Sequence, residues 1–254
     1  MEKIYFSGWG MTTGTRTPWI DEGEHQITRS FYETDIRLKK LVQEKNFTIS
    51  NFPDYATLKI LDGLTWRHYI LYWSTVFAIK NTQYMEKNLV ECGVCDGLGS
   101  FYALSAAKSI NKPFKGYLYD AWNSMKEEFL LESEKSQAGN YAFTNLEKTQ
   151  KNLSLFGVDV VTFNKGYIPD VFEVAKNPDK IVWLHIDLNS CLPTVETLNY
   201  FWEKLEGGGV ILLDDYAWPE CQDTQIAVEK WSSNKDGILF HLPTGQAMFM
   251  KNKH

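Results

Sequence analysis

Three aspartates follow two apolar runs in the second half of the chain, and together they could hold a cation. Asp187 closes the run KIVWLHID, and Asp214 with Asp215 closes the run GGVILLDD. Carboxylates brought close together raise each other's pKa unless a cation lies between them. Mg²⁺ prefers oxygen ligands, and a bound ion would hold a substrate hydroxyl and lower its pKa. In the alternative interpretation, Asp214 or Asp215 caps a turn and Asp187 is a lone polar residue.

Residues 88–100, NLVECGVCDGLGS, form a glycine loop between a predicted strand and a predicted helix. Its three glycines are Gly93, Gly97 and Gly99. Such glycines let backbone N–H groups approach a ligand, but the spacing GxxxGxG differs from the GxGxxG of dinucleotide-binding loops. Glu91 precedes the loop, and Asp120 ends the next predicted strand, where an acid contacts ribose hydroxyls in doubly wound folds. These acids would repel a pyrophosphate but suit the sulfonium donor S-adenosylmethionine; a purely structural turn is the alternative.

The same loop contains a CxxC pair, Cys92 and Cys95. A zinc site needs about four ligands, and the remaining cysteines, Cys191 and Cys221, lie far along the chain without a second CxxC or an HxxxH. A thioredoxin-like site would have no glycine cradle within it. We therefore interpret Cys92 and Cys95 as small apolar residues buried beside the loop.

The elements that must position these residues alternate from residue 88 onward between short apolar runs and helical stretches, which indicates βαβ units and a parallel sheet. The predicted strands are NLVECG, KGYLYD, VDVVTFN, KIVWLHID and GGVILLDD. The predicted helices lie at residues 101–109, 124–136, 144–157, 194–205 and 223–232, and the third begins with the capping box Thr144 to Glu147. The final stretch GILFHLPTGQAMFMK predicts two antiparallel strands at the sheet edge.

The first 85 residues lack this alternation. Residues 1–28 are rich in Gly, Thr and Trp and predict an irregular arm, and the spacing over 31–45 and 57–80 predicts helices. An aromatic stripe on the second helix indicates core packing, at Trp66, Tyr69, Trp73 and Phe77. We assign residues 1–85 to an N-terminal extension that binds the acceptor or closes over the site, and residues 86–254 to a cofactor-binding domain.

Composition excludes several classes of partner. The 254 residues carry a formal charge of −6 with spread lysines and arginines, which does not suit nucleic acid. The longest apolar run, YILYWSTVFAI, is about half the ~20 residues that a bilayer span needs. With no basic leader or cleavage site at the amino terminus, we expect a cytosolic protein without a membrane span. A homo-oligomer is left open.

The combined pattern VECGVCDGLGS, YLYDAW, NKGYIPDVF, LHIDLNSCLPT and GGGVILLDDY resembles the macrocin O-methyltransferase (TylF-type) family of class I S-adenosylmethionine-dependent methyltransferases. The resemblance runs from about residue 89 to residue 216. It implies a doubly wound, Rossmann-like α/β fold with a mostly parallel seven-stranded sheet, and Mg²⁺-dependent methylation of a sugar hydroxyl on a natural product. At position 189 this chain has Asn where the family has its second acid.

The resemblance also implies site residues. Those matched to methyl-donor binding are Glu91, Gly93, Gly97, Asp120, Gly166, Tyr167 and Asp187, with Ser100 and Trp122 as further cofactor-binding candidates. Those matched to the metal ion are Asp187, Asp214 and Asp215. Asp187 is thus a donor contact, a metal ligand and the candidate general base.

We therefore predict in-line methyl transfer from S-adenosylmethionine to a hydroxyl of a small molecule, with Asp187 or a water as base. His185 is the alternative base, because it shares a strand face with Asp187. Four aromatic residues are candidates for a lid and acceptor wall, at Trp9, Trp19, Trp66 and Tyr69. The alternatives are a methyltransferase-like protein that binds the donor without turnover and an NAD-dependent oxidoreductase.

Overall fold

The protein is described from a computed structural model that covers residues 26–47, 64–218 and 220–253. The helices are α1 (Gln26–Glu44), α2 (Thr65–Asn81), α3 (Leu98–Ser109), α4 (Leu146–Leu153), α5 (Val171–Val174), α6 (Cys191–Trp202) and α7 (Gln222–Ser232). The strands are β1 (Lys87–Cys92), β2 (Phe114–Asp120), β3 (Val161–Lys165), β4 (Ile181–Ile186), β5 (Leu205–Leu213), β6 (Gly237–His241) and β7 (Ala247–Lys251).

Within the described residues these strands form one seven-stranded sheet in the order β3-β2-β1-β4-β5-β7-β6. The first five run parallel, and β7 pairs antiparallel with both β5 and β6. This confirms the predicted mostly parallel sheet and the antiparallel pair at its edge. Strand order reverses between β1 and β4, and ligands of open α/β sheets bind at such a switch point, beyond the carboxyl ends of the strands.

Apolar side chains bury both faces of the sheet. One core packs α2 and α3 against it, with Leu71, Leu104 and Trp183 among its members. The other packs α6 on the opposite face, with Phe201 and Ile211 at its centre. Strands β1 and β4 are buried at every position, as expected for central parallel strands covered by helices on both sides.

Helix α2 is part of this main core, although we predicted it within an N-terminal extension. Leu71, Val76 and Ile79 are buried against residues of α3, β4 and β5. The indole N–H of Trp183 on β4 donates to Ser74 on α2 at 3.0 Å. Of the predicted aromatic stripe, Tyr69 and Trp73 pack against this core, whereas Phe77 is exposed and Trp66 is only half-buried. These contacts fix α2 relative to β4 and β5.

Three predicted helices differ in the structure. Residues 124–136 contain two short 3₁₀ turns, Glu127–Phe129 and Glu132–Gln137. The buried Glu134 carboxylate accepts the backbone N–H groups of Leu131 and Cys191, which fixes this irregular path. Helix α4 begins after Asn145, whose side chain accepts the N–H of Lys148, so Thr144 is not its cap. Helix α6 ends at Trp202, and the glycines that follow lie within β5.

None of the helices in the described ranges is both long and apolar enough to cross a bilayer. The predicted arm at residues 1–28 lies almost wholly outside the described residues, as do Trp9 and Trp19.

Candidate active site

A cavity of about 410 Å³ opens where the parallel strands end, at the switch point of the sheet. This size is typical of small-molecule and cofactor sites. One side of the cavity is formed by the glycine loop, the end of β2 and the loop after β3; the other is formed by the ends of β4 and β5 and the start of α2. The loops that follow the five parallel strands therefore converge on one cavity.

Gly93 places the glycine loop directly against the chain after β4. Its φ of +85° is a left-handed conformation, and a Cβ at this position would collide with the backbone carbonyl oxygen of Asp187. The backbone N–H of Asp187 donates to the carbonyl of Cys92 at 2.9 Å. The loop and the first acid thus touch through backbone atoms, which only glycine allows at position 93.

The carboxylate of Asp120 holds the glycine loop at the cavity wall. Its Oδ2 accepts the N–H groups of Val94 and Cys95 at 2.7 and 2.9 Å, and its Oδ1 accepts that of Trp122 at 2.6 Å. Burial raises the pKa of Asp120, although the three N–H groups oppose that change. A carboxylate has about four acceptor positions, so one remains for a ligand hydroxyl.

The loop after β3 forms the apolar part of the same wall. Tyr167 stacks on Phe129 with ring centroids 5.2 Å apart, and its hydroxyl donates to the carbonyl of Ser124 at 2.8 Å. The ammonium group of Lys126 lies 4.4 Å from the Tyr167 ring centroid. Gly166 lines the cavity beside them, and a side chain there would crowd Val171.

The acids after β4 and β5 come together as predicted, but Arg67 of α2 lies between two of them. Its Nε donates a bifurcated hydrogen bond to Asp214, at 3.1 Å from Oδ1 and 3.0 Å from Oδ2. Its Nη2 donates to Oδ2 of Asp187. The third acid, Asp215, accepts the backbone N–H of Asn189 at 2.9 Å. One guanidinium therefore bridges the ends of two neighbouring strands.

Arg67 affects the pKa values of the three acids unequally. Burial alone would raise the pKa of Asp214, but Arg67 and His185 lower it below its ordinary value. Burial raises the pKa of Asp187, and Arg67 offsets only part of that. Burial and the charges of Asp187 and Asp214 raise the pKa of Asp215 well above the ordinary value. The cluster thus contains one firmly ionised carboxylate and two with a raised affinity for protons.

A second ion-paired group lies behind the cavity. His185 is fully buried, with Nδ1 2.9 Å from Oε1 of Glu91 and Nε2 3.6 Å from Oδ1 of Asp214. Glu91 also accepts a hydrogen bond from the hydroxyl of Ser100 in the first turn of α3. Burial alone would lower the pKa of His185, but the two carboxylates raise it to about 9, so that the imidazolium form is present at neutral pH.

The methyltransferase-domain family matches residues 90–216, which are 127 of the 254 residues and include every strand end of the cavity. The chain belongs to this methyltransferase family. The family membership and the observed sheet confirm the predicted methyltransferase with a class I, Rossmann-like fold.

Among curated relatives, the mycinamicin III 3''-O-methyltransferase of Micromonospora griseorubida is 30% identical over 82 residues. That match covers 32% of this methyltransferase and 32% of the relative, about a third of each chain. Among solved structures, the O-methyltransferase NovP has a TM-score of 0.61 at 18% identity, covering 74% of this chain and 80% of its own. The calicheamicin methyltransferase CalS11 has a TM-score of 0.57 at 18% identity, covering 91% and 98% respectively. These two similarities concern the fold.

The site residues predicted for the methyltransferase fall into two groups. Those that line the cavity are Gly93, Asp120, Gly166, Tyr167, Asp187, Asp214 and Asp215. Those that do not line it are Glu91, Gly97, Ser100, Trp122 and His185. Gly97 is the left-handed residue before α3, and the Trp122 indole is buried against the loop, donating to the Cys95 carbonyl. Both residues shape the glycine loop from behind.

The expected contact of Glu91 with the donor's cationic part is not what the structure shows. The Glu91 side chain points to the first turn of α3, where it is bound by Ser100 and His185. His185, likewise, does not reach the cavity, so the predicted role as alternative base does not fit its position. Both side chains lie on the covered face of the sheet and support the site instead.

The sequence reasoning missed Arg67, which lines the cavity beside Trp66. Arg67 follows Trp66 in a helix whose aromatic spacing already has a packing explanation. That helix contains no acidic residue, so no local spacing predicts an ion pair for Arg67. Of the aromatic candidates for an acceptor wall, Trp66 lines the cavity and Tyr69 packs against the core. Trp218 and Tyr141 also line the cavity, although the sequence did not predict them as site residues.

The arrangement of the acids does not fit a divalent ion. Among the described residues, His185, Asp187 and Asp214 offer ligand atoms within 4.8 Å of one another. However, the guanidinium of Arg67 already bridges the two aspartates, and His185 is held by Glu91 behind the cavity. The arrangement of these side chains therefore does not support the predicted Mg²⁺ site.

All four cysteines are free thiols, and Cys95 is half-buried at the cavity wall, not buried as predicted. Cys92 is fully buried in β1, and burial raises the pKa of its thiol well above the ordinary value. Burial also raises the pKa of Cys95 at the cavity wall. A thiolate is the reactive form of cysteine, so burial makes both thiols less reactive at neutral pH.

Proposed function

We propose that the protein is an S-adenosylmethionine-dependent O-methyltransferase that acts on a hydroxyl group of a small molecule. The observation that carries this proposal is a single cavity lined both by the glycine loop with Asp120 and by the acids Asp187, Asp214 and Asp215. We take the part at the glycine loop and Asp120 as the donor end and the part at the three acids as the acceptor end. A donor at the first would direct its reactive group toward an acceptor held at the second.

The charge of the cavity favours a sulfonium donor over a nicotinamide dinucleotide. Among the described residues that line it, four are aspartates and two are basic, Arg67 and Lys126. Arg67 is already bound to two of the aspartates, and Lys126 pairs with Glu128 at 3.0 Å. A pyrophosphate would therefore meet an excess of negative charge, whereas a sulfonium ion with a cationic amino group is attracted.

Each end of the cavity supports one part of the donor or acceptor. The free acceptor position of Asp120 suits a ribose hydroxyl, and the wall of Tyr167 and Ile168 suits an aromatic base. Trp66, Tyr141 and Trp218 line the same cavity as the acids. Flat aromatic side chains in a cavity with carboxylates suit a hydroxylated ring as acceptor, and the mycinamicin relative is likewise an O-methyltransferase.

The transfer itself needs one bond to form and one to break. The acceptor oxygen forms a bond to the methyl carbon, the carbon–sulfur bond breaks, and S-adenosylhomocysteine leaves. The hydroxyl proton passes to Asp187, whose raised pKa makes it a better proton acceptor than an ordinary aspartate. Positioning of the two reactants supplies much of the acceleration in such a displacement. His185 and Glu91 act indirectly, by holding Asp214 and the glycine loop in place.

We also propose a family subgroup, an acceptor and a cellular setting for the protein. Membership of the macrocin-type group, with a natural-product sugar as acceptor, is supported by the sequence motifs, and the curated relative is an O-methyltransferase. A cytosolic setting and the lack of a nucleic-acid partner are supported by composition and by the acidic charge of −6.

The test measures donor binding and turnover separately. Calorimetry with S-adenosylhomocysteine and with NAD should show binding of the first alone. Radiolabelled methyl transfer should then be measured across a panel of sugars and glycosides. Asp187→Asn should keep donor binding and lose about 10²–10⁴-fold in turnover, because it removes the base without changing the side-chain shape. Donor binding without transfer to any hydroxyl would favour the non-catalytic alternative, and NAD binding would refute the proposal.

A further inference from the structure

We propose that Arg67 is the resident cation of the acidic cluster, occupying the place between Asp187 and Asp214 that a divalent ion would otherwise take. A guanidinium and an ion then compete for the same carboxylates. This inference concerns the occupant of the site and does not depend on which group is methylated.

The first support is the geometry of the ion pairs. Arg67 contacts both aspartates with different nitrogen atoms, and all three side chains are largely shielded from solvent, with 16%, 22% and 12% of their surface exposed. Removing one partner of such a buried pair leaves uncompensated charge, which is costly. The contacts are therefore an integrated part of the site, unlike an exposed surface ion pair.

The second support is that Arg67 occupies the carboxylate oxygens themselves. Its Nε contacts both oxygens of Asp214, at 3.1 and 3.0 Å, and its Nη2 contacts Oδ2 of Asp187. An arginine side chain stays protonated in proteins, so a cation is always present at this position. A divalent ion on the same oxygens would require Arg67 to withdraw.

The third support is the placement of Arg67 on a rigid element. It lies in the first turn of α2, a helix held by Trp183 and by core residues on α3 and β5. The position of the Arg67 backbone is fixed by this packing, and Gln246 also donates to Oδ1 of Asp214 at 2.6 Å. The aspartate is thus already coordinated by neutral and cationic donors, as a satisfied ion pair requires.

The experiment is a Mn²⁺ titration of the full chain followed by electron paramagnetic resonance, in which bound Mn²⁺ loses its free-ion signal. It involves neither donor nor acceptor, so its outcome is separate from that of the methyl-transfer assay. Arg67→Met removes the guanidinium but keeps an unbranched side chain, and we expect it to bind one Mn²⁺ at least about tenfold more tightly than the wild type. Adding Asp187→Asn to Arg67→Met should abolish the gain.

Two further variants serve as controls. Arg67→Lys retains the charge and should keep the wild-type Mn²⁺ affinity. Lys126→Met removes a cation from the same cavity that does not contact the acids, so it should not tighten Mn²⁺ binding. Circular dichroism checks that each variant is folded. Equal Mn²⁺ affinity of the wild type and a folded Arg67→Met, whether tight or weak, would overturn the proposal, as would an equal gain in Lys126→Met.

Discussion

Arg67 and Asp214 lie 147 positions apart in sequence, yet Nε of one lies 3.0 Å from Oδ2 of the other. This ion pair joins the first turn of α2 to the end of β5, across the mouth of the cavity. The same guanidinium also binds Asp187 after β4. The acidity of the candidate site therefore depends on a helix outside the region matched by the methyltransferase-domain family.

Replacing Arg67 should move the pH dependence of methyl transfer. Arg67 lowers the pKa of Asp214 and opposes the effect of burial on Asp187. Without it both carboxylates bind protons more tightly, and a base must be ionised to accept the hydroxyl proton. The acid limb of kcat/KM against pH should shift upward by about 1–3 pH units in Arg67→Met. Arg67→Lys should shift it less, and an unchanged profile in Arg67→Met would show that no carboxylate bound to Arg67 acts as the base.

Gly93→Ala should weaken donor binding with only moderate loss of stability. The added Cβ meets the Asp187 carbonyl, so the loop must move away from the end of β4. We expect the affinity for S-adenosylhomocysteine, measured by calorimetry, to fall at least about tenfold, and a stability loss of about 1–3 kcal/mol.

Gly139→Ala is the matched control for this change. Gly139 has a φ of +88°, close to that of Gly93, but a Cβ there meets no atom within 4 Å. Gly139→Ala therefore reproduces the backbone strain of Gly93→Ala without its collision. If both variants lose donor affinity equally, the contact between the loop and Asp187 does not explain the effect.

The arrangement of the sheet and of the three acids could be read from the sequence because local patterns determine both. Apolar runs that alternate with helices specify parallel strands, and the carboxyl ends of neighbouring strands meet at one edge. Asp187 and Asp214 follow paired strands, with Ile186 opposite Leu213. The backbone N–H of Asp214 donates to the carbonyl of Ile186 at 2.9 Å, which places the two acids side by side.

The direction of Glu91 and the role of Arg67 could not be read in this way. Every position of β1 is buried, so there is no alternation of polar and apolar residues to show which face carries Glu91. The partner of Arg67 lies on a distant strand, and long-range ion pairs leave no local spacing in the sequence. The irregular path of residues 124–136 has the same origin, because Glu134 bonds to Cys191 at the start of α6.

His185 should be protonated at neutral pH. Its pKa of about 9 in the folded state exceeds the unfolded value of about 6.5, so it contributes stability that is complete below pH 6.5 and is lost as pH rises through 9. The contribution is about 3 kcal/mol. Nitrogen-15 spectra of labelled histidine should show an imidazolium at pH 7, and His185→Gln should remove this part of the slope of unfolding free energy against pH. A neutral ring at pH 7 would contradict the charge assigned to His185 between Glu91 and Asp214.

Methyl transfer by the wild type should not depend on added metal. Arg67 already forms ion pairs with Asp187 and Asp214, so its guanidinium takes the position between them that an ion would need. We expect kcat/KM to change less than about twofold when EDTA is added or when Mg²⁺ is supplied, since no ion is lost from or gained by a site that Arg67 fills. Arg67→Met exposes the same carboxylates, so in that variant Mg²⁺ should restore part of the lost rate and EDTA should remove it again. Loss of wild-type turnover in EDTA, with recovery on adding Mg²⁺, would show instead that Arg67 withdraws during catalysis and that the ion is the working cation.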